Sequence, residues 1–105
     1  MKDIIEHLET IIFDRRQADP GKSYVAKLTH QGRGKMAQKL GEEATEAVIA
    51  AVTDEHEEMI GESADLVFHL LVTLADMGLS WNDVLTELAR REGISGIDEK
   101  AARTH

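Results

Sequence analysis

The chain has no cysteine, which excludes disulfides and thiolate metal sites and leaves oxygen and imidazole as the only strong ligand types. It has one proline and only 4% aromatic residues, a composition that points away from sheets and leaves long helices unbroken. Basic charge is scarce: 12 Lys and Arg stand against 20 Asp and Glu, for a formal net charge of -8. That balance argues against nucleic acid as the main ligand, while a small anion stays acceptable where a metal bridges it. No apolar run is long enough to span a bilayer, and residues 1–16 alternate charge with aliphatics, unlike the uncharged core of a signal peptide. The expectation is therefore a cytoplasmic protein with neither a nucleic-acid nor a membrane partner.

What is present makes one domain, residues 1–105, because two cores in 105 residues would each be too small to fold unaided. Ile4, Ile5, Leu8, Ile11 and Ile12 recur at helical spacing over residues 2 to about 18, and Asp19-Pro20-Gly21 stops that helix. Ser23 caps a short helix or turn over residues 23–31, and residues 31–34 read as a flexible break. Residues 35–53 are rich in Ala, Glu, Lys and Met, all good helix formers. Asp54, with Glu57 three residues on, reads as the N-cap of a further helix running to Gly78. The connection between these two helices is so short that they must form an antiparallel hairpin. Ser80 with Asp83 repeats the capping pattern ahead of a helix ending near Glu92, and a last short helix is expected over residues 97–103. The fold class is thus all-α, a helical hairpin or bundle of four to five helices. The helix over residues 59–74 is apolar on nearly all sides, and a homodimer is expected to cover it.

Carboxylates carry the chemistry. Glu42, Glu43 and Glu46 share one helix face, within about a third of the circumference, and three like charges there call for a compensating cation. Glu62 and Asp65 stand one turn apart on the next helix, with His69 and Thr73 continuing the stripe. Asp65 and His69 lie in such an apolar stretch that both are expected to be buried and to need partners. Facing the pair with the trio makes an oxygen-rich cage suited to magnesium, with manganese as a substitute, directed at nucleotide phosphates. The bland alternatives are a solvated glutamate face for the trio and, for the pair, a salt bridge to a buried Lys or Arg such as Lys39. His69 reads as a hydrogen-bonding rather than ligating histidine, and Thr73 as structural. Glu57 and Glu58 read as an acidic first turn favourable to the helix dipole and are left out of the site.

The spacing Glu42-Glu43-x-x-Glu46, then Glu62-x-x-Asp65, resembles the all-α nucleotide pyrophosphohydrolases, the MazG-like superfamily. Within it, Lys39-Leu40-Gly41-Glu42-Glu43-Ala44-Thr45-Glu46 and the run from Glu62 to Val72 resemble the phosphoribosyl-ATP pyrophosphatase family. Ser23-Tyr24-Val25-Ala26-Lys27-Leu28 and Ser95-Gly96-Ile97-Asp98-Glu99-Lys100-Ala101-Ala102-Arg103 resemble that family's flanking segments, and Phe68 departs from it where tyrosine is common. The resemblance implies magnesium-dependent hydrolysis of phosphoribosyl-ATP to phosphoribosyl-AMP and pyrophosphate, a step of histidine biosynthesis, in a homodimer. It implies catalytic or metal-binding roles for Glu42, Glu43, Glu46, Glu62 and Asp65. Lys39, Lys100 and Arg103 fall in matching segments and carry the charge to meet substrate phosphates. The rival readings are a house-cleaning nucleoside triphosphate pyrophosphatase of the same superfamily and a non-catalytic helical dimerisation module.

Overall fold

The computed structural model describes residues 4–92, and these are all-α. Five helices follow in order: α1 (Ile4–Arg15), α2 (Tyr24–Gln31), α3 (Arg33–Val52), α4 (His56–Asp76) and α5 (Trp81–Arg91). The helix expected over residues 97–103 lies outside the described residues. No single described helix is long and apolar enough to cross a membrane.

Most boundaries follow from local chemistry. After α1, the Asp19 carboxylate accepts the Gly21 amide at 3.0 Å and the Asp19 carbonyl accepts from Lys22 and Ser23, which turns the chain at Pro20. Ser23 caps α2 by accepting the Ala26 amide at 3.2 Å. The expected break over residues 31–34 contracts to Gly32 alone. With φ +97 it ends α2 and starts α3 at once, so one left-handed residue does the work of a loop and Gly34 is already helical. At α5 the Ser80 and Asp83 side chains and amides bond reciprocally, as the sequence pattern indicates.

The turn between α3 and α4 differs from expectation. Asp54 does not cap α4; it adopts φ 57, and its carboxylate pairs with His56 Nε2 at 2.9 Å. The reason is the end of α3. Glu55 N–H bonds the Ala50 carbonyl and Asp54 N–H the Ala51 carbonyl, a helix ending that needs a left-handed residue at position 54. Asp tolerates that conformation better than most non-glycine residues. α4 starts after Glu55 without a side-chain cap.

Helices α3 and α4 form the long hairpin, while α1 packs on α4, α2 on α3, and α5 on α1. Ile12, Val25, Leu28, Met36, Leu71 and Val72 are the buried centre, with Ile5, Leu8, Val67, Phe68, Ala75 and Trp81 against it. All the α4 members of this core lie between residues 67 and 75, so α1 and α2 cover only the C-terminal half of α4. The hairpin tip projects beyond them, and Val48, Ile49, Val52 and Ile60 are exposed there. A staple ties the opposite end. Asp76 receives Arg16 Nη2 at 3.1 Å from the end of α1 and Arg33 Nε at 2.7 Å from the start of α3.

Candidate metal centre

Where the core stops, the facing surfaces of α3 and α4 become acidic. Oxygen atoms of Glu43, Glu62 and Asp65 lie within 4.8 Å of one another. Glu43 is 8% exposed, Glu62 is half-buried and Asp65 is exposed. The expected burial of Asp65 is thereby corrected. It sits just beyond the part of α4 that α1 and α2 cover, and Glu43 on the facing helix takes the buried place.

The electrostatics of this cluster are unbalanced. Glu43 and Glu62 each keep a buried carboxylate oxygen, Oε2, with no hydrogen-bond partner. Contacts of Glu62 with Glu46 and then Glu43, with desolvation and their negative charge added, push its carboxyl up to about 7 from an ordinary 4.5. Carboxylates pressed together must share a proton or a cation. Hard oxygen donors converging at this spacing, two of them with unpaired buried atoms, fit a divalent cation such as magnesium or manganese. Among the described residues this is the one such cluster.

Glu46, though exposed, reaches the cluster through Glu62. Glu42 does not join the trio. It accepts from Gln38 Nε2 at 2.9 Å and pairs with Lys39 Nζ at 3.2 Å, and these two contacts, Gln38 first, lower its carboxyl below the usual range. Lys39 also reaches Glu43 at 4.0 Å, so it stands at the rim as the cage's counter-charge. Its ammonium is held charged mainly by Glu42, with a smaller contribution from nearby Tyr24. The alternative in which Lys39 pairs with Glu62 or Asp65 is not the one adopted: its contacts stay on its own helix, one turn away. Lys100 and Arg103 lie outside the described residues.

His69 is 6% exposed and makes the hydrogen bonds expected of it, to the Asp65 carbonyl at 2.7 Å and to the Tyr24 hydroxyl at 2.9 Å. Thr73 bonds the His69 carbonyl at 2.8 Å and is structural. Tyr24 at the cage rim was not foreseen from the sequence, because only the docking of α2 beside the hairpin brings it there. Its ring stacks on Phe68 with centroids 6.1 Å apart. A concavity of about 620 Å³ between α1, the end of α4 and the start of α5 contains none of the cage residues.

Residues 5–92 match the family described as phosphoribosyl-ATP pyrophosphohydrolase. A protein of Erythrobacter litoralis named phosphoribosyl-ATP pyrophosphatase is 60% identical over 99 residues, covering 94% of this chain and 95% of its own. Proteins of the same name from Novosphingobium aromaticivorans and Paramagnetospirillum magneticum are 53% identical over 103 residues and 56% over 100. The matches cover 98% of this chain and 96% of the former relative, and 95% of this chain and 92% of the latter.

Proposed function

Because the chain belongs to the phosphoribosyl-ATP pyrophosphohydrolase family, a family of hydrolases, we propose that it cleaves phosphoribosyl-ATP to phosphoribosyl-AMP and pyrophosphate in histidine biosynthesis, with magnesium as cofactor. The observation that carries the cofactor is the convergence of Glu43, Glu62 and Asp65 within 4.8 Å, two of them with unpaired buried oxygens. These three residues hold the ion, and manganese is the natural substitute. When bound, such an ion neutralises phosphate charge, stabilises the pyrophosphate leaving group and makes a water more acidic.

The chain's own residues supply the rest. Glu46 lies outside the trio but touches Glu62, and it is the carboxylate left to take a proton from the attacking water. Glu42 holds Lys39 at the rim, where its ammonium meets substrate phosphate. Lys100 and Arg103, on the tail, recognise the added ribose phosphate, which distinguishes this substrate from an ordinary nucleoside triphosphate. The exposed Val48, Ile49, Val52 and Ile60 at the hairpin tip support a homodimer in which a second copy covers them.

The test is direct. Purified protein is incubated with magnesium and either phosphoribosyl-ATP or a panel of nucleoside triphosphates, and pyrophosphate is assayed. Release from phosphoribosyl-ATP far above the panel is expected. Equal or greater release from dCTP or other triphosphates would replace this reading with the house-cleaning one. No release from any substrate would leave the non-catalytic module.

A further inference from the structure

With a neutral imidazole, the hydrogen bonds running from α4 to α2 have one direction. The Asp65 carbonyl oxygen can only accept, so the hydrogen in the 2.7 Å contact belongs to His69 Nδ1. In the neutral ring Nε2 then carries the lone pair, and the Tyr24 hydroxyl donates to it across 2.9 Å. A phenol has one hydrogen. With it engaged, the Tyr24 oxygen faces its surroundings as an acceptor only.

The position of this acceptor follows from the hairpin. Helices α3 and α4 are antiparallel. Lys39 precedes Glu43 by one turn and His69 follows Asp65 by one turn, so Lys39 and His69 share the level next to the cage, about 5.4 Å along the axis. Tyr24 bonds at that level. Its ring is pinned between Phe68, nearly parallel at 23°, and His69, edge-on at 84°, yet the residue is 45% exposed. A rigid acceptor at the open rim selects for a donor. Phosphate oxygens are acceptors at neutral pH and are served by Lys39, whereas the sugar of a nucleotide presents hydroxyls, which can donate.

We propose that Tyr24 is a specificity-determining residue of the site, its hydroxyl oxygen accepting a hydrogen bond from a sugar hydroxyl of the nucleotide whose phosphates meet the carboxylates. The proposal rests on the nucleotide reading given above. It separates Tyr24 from a purely structural tyrosine, which would matter equally for any ligand.

Tyr24→Phe keeps the ring and its contact with Phe68 and removes the hydroxyl, together with its bond to His69. With phosphoribosyl-ATP and magnesium, KM should rise about three- to tenfold while kcat stays within about twofold, the size expected for one neutral hydrogen bond. Calorimetric titration of the wild type should show ATP binding about three- to tenfold more tightly than 2′,3′-dideoxy-ATP, and the variant should bind both alike. A variant that still discriminates as the wild type does, or a loss confined to kcat or to the magnesium requirement, would overturn the assignment. So would a wild type that does not bind ATP. Failure of the wild type to hydrolyse phosphoribosyl-ATP would instead overturn the proposed reaction, while the comparison of ATP with its dideoxy counterpart still decides the role of Tyr24.

Discussion

Proton release on metal binding tests the cage more sharply than loss of activity does. The Glu62 carboxyl stands at about 7 because Glu46 and Glu43 crowd it. A cation taking the place of the shared proton therefore expels about 0.9 proton per chain at pH 6, about 0.5 at pH 7 and about 0.1 at pH 8. Titrating magnesium into the protein in buffers of different ionisation enthalpy reads that number directly. The same shift governs stability without metal. Since the folded value lies above the ordinary 4.5, the bound proton stabilises the fold fully below that value, and the contribution is lost as pH rises through about 7. Metal-free protein should accordingly melt at lower temperature at pH 8 than at pH 5.5, and saturating magnesium should remove the difference. Glu62→Gln should flatten both profiles. Proton release that is absent at pH 6, or unchanged in Glu62→Gln, would refute the argument that crowding of these carboxylates is what the cation relieves.

Four further outcomes are expected. Glu46→Gln or Asp65→Asn should abolish turnover while leaving the helical fold, and the metal-free variants should melt at or above the wild-type temperature because like charges are relieved; wild-type turnover in a folded variant removes that carboxylate from the site. Asp76→Asn weakens the contacts of both Arg16 and Arg33 and should cost about 1–3 kcal/mol in urea denaturation, whereas a loss near zero would show the staple to be ornamental. Light scattering at micromolar concentration should give a dimer, and Ile60→Asp should shift it toward monomer; a fully active wild-type monomer rules out the dimer. Truncation after Ile94 should cost far more activity on phosphoribosyl-ATP than on ATP or dCTP, with Lys100→Ala or Arg103→Ala each costing about ten- to a hundredfold in kcat/KM, and an equal loss on all substrates would withdraw phosphate recognition from the tail.

The periodic aliphatics of α1, the Ser23 cap and the Ser80 with Asp83 box were legible because each is a local device whose residues lie within a turn or two of one another. The acidic spacing was legible for the same reason: one turn separates Glu43 from Glu46 and Glu62 from Asp65, and the short link at residues 53–55 allows only a hairpin. Local rules failed where the end of one helix and the start of the next compete for the same residue. Asp54 satisfies the end of α3 and so is lost as a cap for α4. Burial was the other failure, since hydropathy along α4 does not reveal how far α1 and α2 extend over it. That reach buries His69, leaves Asp65 open, and brings Tyr24 to the rim of the cage. Sequence by itself thus determined which carboxylates share a helix face, because helical geometry is a property of the chain. Only the tertiary packing decided which of their oxygens are shut away from water and which groups from another helix meet them, because solvent exclusion depends on every element that covers the site.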